Sequence, residues 1–195
     1  MKKFELTSEF ITNILGTKSF RIKALMEFGD VKAGDLGGYI EKEENLDHDG
    51  DAWVYGNAEV CGNARVCGDA EVCGNAWVYG DAWVYGDARV YGNARVYGDA
   101  RVYGDAEVCG NAEVYGNADY AYAHGFGSIN RTTTFFRLKD GGVGVRCGCF
   151  YGTLQEFRDK VRKTHGETKK AKEYLMLADL MELRFKEENE DGKNN

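Results

Sequence analysis

From Gly50 to Tyr115 the chain repeats Gly-Asp/Asn-Ala-x-Val-Tyr/Cys eleven times without an insertion, and a twelfth hexad, Gly116 to Ala121, loses the pattern at its last two positions. A repeat this regular dictates a solenoid, because each unit is too short to bury a core alone and must stack on its neighbours. Ala and Val stand two apart, so in an extended segment both point to one side and the residue between them to the other. Ala and Val therefore form the interior. Gly followed by Asp or Asn supplies the turn, since glycine tolerates positive φ and Asx side chains bond nearby backbone.

A second period of eighteen overlays the first. Asp51, Asp69, Asp87 and Asp105 share one column, and Asn57, Asn75, Asn93 and Asn111 another. Three hexads per coil make a triangular prism with one side and one corner per hexad, its coils ~4.8 Å apart. Carboxylates at that spacing repel unless each bonds a turn amide or a cation lies between them. Backbone capping is the expected arrangement, because one carboxylate per coil is a poor oxygen set for Ca²⁺. The asparagine column needs no ion, since stacked amides bond into a ladder. The aliphatic-x-x-x-small-x unit of residues 50 to 121 resembles the hexapeptide repeat of left-handed parallel β-helices, known from many acyltransferases. The left hand is implied by that resemblance.

The flanks read differently. Phe10 to Ile14 and Ser19 to Leu25, on either side of Gly16, predict a hairpin, followed by an irregular first coil through Asp35-Leu36-Gly37-Gly38-Tyr39-Ile40. Thr132 to Leu138 and Val143 to Cys149, split by Asp140-Gly141-Gly142, predict a second hairpin. Thr153 and Glu156 form a capping box ahead of a helix with Leu154, Phe157 and Val161 on one face. A longer helix from about Thr168 to Lys186 sets Ala171, Tyr174, Leu175, Ala178, Met181 and Phe185 at helical spacing, and that face is expected to cover the open end of the solenoid. The fold class is mainly β: a single-stranded, triangular, left-handed parallel β-helix with an N-terminal hairpin cap and a C-terminal cap of a hairpin and two helices. The expected boundaries are a cap over 1–33, β-helix over 34–121, an α+β cap over 122–187 and a disordered tail over 188–195. Capped ends argue against a filament.

Two flanking segments carry a further resemblance. Phe28-Gly29-Asp30-Val31-Lys32-Ala33-Gly34-Asp35-Leu36-Gly37-Gly38-Tyr39 and Cys147-Gly148-Cys149-Phe150-Tyr151-Gly152-Thr153-Leu154-Gln155-Glu156-Phe157 resemble the ends of an uncharacterised group of phage and prophage proteins, over nearly the whole chain. This implies a viral origin and nothing about activity or site residues.

Charge and composition narrow the functions. A net charge of −7 disfavours nucleic acid, and the one basic run, Arg158 to Lys172, reads as a solvated helix face. No run of eighteen apolar residues is present, and Met1-Lys2-Lys3-Phe4-Glu5 shows neither signal peptide nor lipidation motif, so a cytoplasmic protein without membrane contact is expected. Proline is absent, which suits an unbroken ladder. Cys61 and Cys67 fall beside Tyr79 and Tyr85 in the columns, Cys73 and Cys109 are two coils apart, and Cys147 with Cys149 lacks a second pair. Reduced thiols are expected, with no disulfide, metal or cofactor. Acyl transfer would need a histidine base beside the coils. The hexads hold none; of His48, His124 and His165, His124 alone is near the last coil. An enzyme is not expected, and a hexapeptide-repeat acyltransferase using His124 is the alternative.

The outward columns read Trp53-Glu71-Arg89-Glu107, Glu59-Trp77-Arg95-Glu113 and Arg65-Trp83-Arg101-Asp119. The third coil wears a belt of Arg89, Arg95 and Arg101 with acids beneath on every side. One reading is a set of stabilising Arg–Glu and Arg–Trp ladders, each pair worth under ~1 kcal/mol. The other is adhesion, because aromatic residues and arginine dominate binding hot spots. The expected binding residues are Trp77, Trp83, Arg89, Arg95, Arg101, Tyr79, Tyr97 and Tyr115. Tyr79, Tyr97 and Tyr115 form one strip and Tyr85 with Tyr103 another, and either suits a homotrimer contact. The expected function is a non-enzymatic, phage- or prophage-encoded protein that binds or sequesters a host protein or signalling nucleotide in an anti-defence role. A structural trimeric spacer is the remaining alternative.

Overall fold

The computed structural model describes residues 1–126 and 131–186; the tail expected over 188–195 lies outside them. The hexads form a parallel β-solenoid with three faces. Two-residue strands at Trp53–Val54, Glu71–Val72, Arg89–Val90 and Glu107–Val108 make the first face. Those at Glu59–Val60, Trp77–Val78, Arg95–Val96 and Glu113–Val114 belong to the second. The third is Arg65–Val66, Trp83–Val84 and Arg101–Val102. Successive coils are in register, Arg89 opposite both Glu71 and Glu107, and Arg95 opposite both Trp77 and Glu113.

Backbone amides close the stack. Glu71 N donates to Ala88 O at 2.9 Å, Cys73 N to Val90 O at 2.9 Å and Asn75 N to Gly92 O at 2.8 Å, and the same step recurs along every face. Inside, the Ala and Val of every hexad from Ala52 to Val114 are buried and form one continuous core. Each buried valine contributes about 1.5–3 kcal/mol relative to exposure. The turn glycines from Gly50 to Gly110 all have φ between 63° and 75°, a region costly to side chains. Gly116 has left that conformation, and the repeat ends there.

The N-terminal end is closed by an antiparallel hairpin, Phe4–Thr12 with Lys18–Ala24. Leu36–Ile40 joins it to the solenoid, pairing antiparallel with the hairpin and parallel with Glu59–Val60. Lys3 is buried beneath and donates to Gly50 O at 3.1 Å and Ala52 O at 3.0 Å, so its charge is spent on carbonyls left open by the first coil. Burial pushes the Lys3 ammonium below its ordinary pKa. Trp53, expected on the outside, is 1 % exposed. Phe4 and Phe28 cover it with ring centroids 6.2 and 5.3 Å away.

At the other end four antiparallel strands, Tyr120–Phe126, Arg131–Arg137, Val143–Cys147 and Phe150–Thr153, form a sheet. The expected second hairpin is its centre; the two outer strands extend it. Helix α1 (Leu154–His165) starts at the capping box, Glu156 N donating to Thr153 Oγ1 at 3.3 Å and Thr153 N to Glu156 Oε2 at 2.7 Å. Helix α2 (Lys169–Phe185) follows an N-cap at Thr168.

The helices do not cover the solenoid end directly. The sheet lies between: Tyr120 and Phe136 pack into the solenoid core, whereas Phe135 and Val145 pack with Leu154, Phe157, Val161 and the buried face of α2. Alternation along a strand gives each side of the sheet its own apolar partner, which the helices alone cannot supply.

The turn geometry makes a sharp prediction. At Gly80 φ is 72° and an added Cβ would lie 3.1 Å from Gly98 N, whereas at Gly116 the nearest atom is Asp99 Oδ1 at 3.4 Å and φ is not positive. In urea unfolding, Gly80→Ala is expected to lose about 1–3 kcal/mol and Gly116→Ala less than about 0.5 kcal/mol. Equal losses would contradict the account of the turns.

Candidate binding surface

In-register stacking puts like residues one above another, so the outer columns are side-chain ladders. The asparagine column is bonded throughout: Asn57 Nδ2 donates to Asn75 Oδ1 at 3.5 Å, Asn75 to Asn93 at 3.4 Å and Asn93 to Asn111 at 3.3 Å. The aspartate column differs. Asp69 Oδ1 accepts from Asp51 N at 3.1 Å, and all four carboxylates are exposed, where water screens their repulsion. No group of three or more His, Cys, Asp or Glu among the described residues is arranged to hold a metal ion, and no described helix is long and apolar enough to cross a membrane.

The arginine belt is divided among the three faces. Arg89 stands on the first, its Nε 3.4 Å from Glu71 Oε2. Below it Glu107 takes Arg146 Nε at 2.7 Å and the Tyr91 hydroxyl at 2.9 Å, so the C-terminal cap engages this face at its last coil. Arg95 stands on the second face, 3.8 Å from Glu113 and over the Trp77 ring. It shares that face with Trp77, Tyr79, Tyr97 and Tyr115, whose rings run continuously: Trp77 to Tyr79 at 4.3 Å, Tyr79 to Tyr97 at 4.9 Å and 1° between planes, Tyr97 to Tyr115 at 5.3 Å.

Arg101 and Trp83 lie on the third face. Trp83 sits between two guanidiniums, Arg65 at 5.6 Å and Arg101 at 5.9 Å. The structure therefore brings five of the eight expected binding residues together on the second face and two on the third, and leaves Arg89 apart. The belt is not one surface.

The third face opens into a cleft of about 510 Å³ where it meets the C-terminal cap. Its walls are Tyr85, Tyr103 and Arg101 from the coils, Asn117 and Tyr120 from the decayed hexad, and Tyr122 and Arg184 from the cap. Tyr85 stacks on Tyr103 at 5.3 Å, and Tyr122 meets Tyr103 at 5.8 Å with the planes 85° apart. Asn117 touches both arginines: its Oδ1 accepts from the Arg101 backbone N at 2.9 Å and its carbonyl from the Arg184 guanidinium, Nη2, at 3.2 Å. Burial pushes the phenols of Tyr120 and Tyr122 above their ordinary pKa, so both stay neutral donors near pH 7.

Asp119 explains why Arg101 is different. The repeat places this acid beneath Arg101, as Glu113 is placed beneath Arg95. Its carboxylate instead accepts from Tyr115 N and Gly116 N, both at 3.0 Å, and from Arg137 Nε at 3.3 Å. Among the described residues neither Arg101 nor Arg184 is in an ion pair with a carboxylate. Tyr85 and Tyr103 were visible as a strip in sequence; Tyr122 and Arg184 were not, because only the folding-back of the cap brings them there. His124, the alternative catalytic residue, lies outside the cleft lining, its Nδ1 2.8 Å from Thr132 Oγ1 and 3.6 Å from Asp105.

The six cysteines are free thiols. Cys61 Sγ accepts from Trp77 Nε1 at 3.3 Å, and burial raises its thiol to about 11.

Three overlapping segments, residues 82–96, 88–104 and 94–110, match the family model described as the YdcK beta solenoid repeat. Successive matches begin six residues apart, the length of the hexad, and fall on the coils that carry the belt. No curated protein sequence matches the chain.

The Cys61 thiol carries a pH prediction. A folded pKa raised above the unfolded value means that the stability from keeping the thiol neutral is whole below about pH 9 and is lost as pH rises through about 11. Melting temperature followed across that window is expected to fall less steeply in Cys61→Ala than in the parent. Parallel slopes would contradict this.

Proposed function

We propose that the chain is a non-catalytic binding protein whose binding surface is the cleft on the third face. One observation carries this reading: Arg101 is the belt arginine whose register partner, Asp119, is engaged elsewhere, and it stands among tyrosines with a second cation, Arg184, nearby. An arginine kept without a carboxylate beside aromatic walls suits recognition of an anionic partner. Arg89 and Arg95, held by acids, suit stabilising ladders.

The resemblance of the flanks supports a phage or prophage origin. On that footing the partner belongs to a host cell, a protein or a signalling nucleotide, and binding or sequestering it in the host cytoplasm serves an anti-defence role. A second use of the solenoid has its own observation. Tyr115 is 61 % exposed at the end of the second-face strip, and Ile14 and Leu15 are exposed at the hairpin beside that face. Such a surface suits a homotrimer, which sedimentation equilibrium tests.

The primary reading is tested by capture from host lysate, with eluates examined for proteins and nucleotides. Arg101→Glu is expected to abolish capture, whereas Arg89→Glu and His124→Ala leave it intact. Equal loss in Arg101→Glu and Arg89→Glu, or loss in His124→Ala alone, would overturn it.

A further inference from the structure

We infer that the third-face cleft takes a nucleoside phosphate, its phosphate held between Arg101 and Arg184 and its base laid on Tyr103. This rests on the third face being the binding surface and names the chemistry it selects.

Two guanidinium forks that pair with no carboxylate among the described residues attract a compact dianion, and arginine matches phosphate oxygens in a two-point geometry that lysine does not. Asn117 holds Arg184 by its guanidinium and Arg101 by its backbone amide, and both arginines line the cleft. The opposite walls are aromatic. Tyr103 is 41 % exposed, its ring is backed by Tyr85 in near-parallel stacking, and Tyr122 stands edge-on to it. A planar ring laid on Tyr103 therefore meets a face below and an edge beside it, the two arrangements aromatic pairs favour.

The remaining donors suit the middle of such a ligand. Asn117 Oδ1 already accepts from Arg101 N, which leaves its amide hydrogens to donate to a ribose oxygen or base edge. The neutral Tyr122 hydroxyl adds a second donor. The cleft volume of about 510 Å³ falls within the roughly 300–1,000 Å³ of small-molecule sites. A polynucleotide fits less well, because the exposed aspartates at Asp87 and Asp105 and a net charge of −7 oppose a continuous phosphate backbone.

The test is calorimetric titration of the full chain with adenosine 5′-monophosphate, adenosine, inorganic phosphate and phenyl phosphate. The monophosphate is expected to bind at least about tenfold more tightly than each of the other three. Arg101→Gln and Arg184→Gln should each weaken it about tenfold or more, with the affinity for adenosine unchanged and melting temperatures within a degree or so of the parent. Tyr103→Leu should weaken adenosine and the monophosphate alike, and Arg89→Gln neither. Phenyl phosphate binding as well as the monophosphate would overturn the nucleoside assignment in favour of a phosphorylated side chain of a protein partner. Monophosphate affinity no greater than that for phosphate, or unchanged in Arg101→Gln, would also overturn it. If no nucleotide binds but Arg101-dependent capture of a protein from lysate persists, the binding surface stands and the ligand class falls; if both are absent, both fall.

Discussion

The solenoid depends on one hydrogen-bond step, in which a backbone amide donates to a carbonyl seventeen residues ahead on the next coil. The step is regular because each corner turns on a glycine at φ near 70° and each side is filled by one alanine and one valine at full burial. Once it is set, residues eighteen apart are forced into contact. Asparagine must bond to asparagine, tyrosine must stack on tyrosine, and a charge must meet its opposite or be left without a partner. The outer surface is therefore not free to vary column by column; its chemistry is imposed by the period.

The candidate site arises where that imposition fails. In the twelfth hexad Gly116 abandons positive φ, Tyr120 takes a valine position in the core, and Asp119 turns its carboxylate to Tyr115 N, Gly116 N and Arg137. The end of a solenoid has to close amides that no further coil will accept, and Asp119 does so for two of them. The consequence is that the arginine one coil before it loses its acid. The same cap that recruits Asp119 delivers Tyr122 and Arg184, so termination of the repeat and formation of the cleft are one event. A chain whose coils ran on unchanged would neutralise its third-face arginine as it neutralises Arg95.

Much of this is written locally. The hexad states which residues face inward, the eighteen-residue period states which stack, and the Thr153–Glu156 capping box and the Asp140-Gly141-Gly142 turn mark their elements. What escapes a reading of the chain is set by distant contacts. Trp53 has the outward position of its column, yet Phe4 and Phe28, far away in sequence, bury it. The apolar face of α2 has the right spacing to cover a solenoid end, but the sheet whose outer strands are Tyr120–Phe126 and Phe150–Thr153 comes between. Register alone gives Asp119 to Arg101; the backbone amides of Tyr115 and Gly116, together with Arg137 from the cap, take it away. The aromatic strip of the second face was legible because the period assembles it, while Arg184 in the cleft had no local signal.

The most direct test of the account is a crystal structure of the protein grown with adenosine 5′-monophosphate. Phosphate density between Arg101 and Arg184, with the base against Tyr103 and Asp119 still bonded to Arg137, is the expected result. A nucleotide seated on the second face, or an Asp119 that has swung back to pair with Arg101 and closed the cleft, would contradict it.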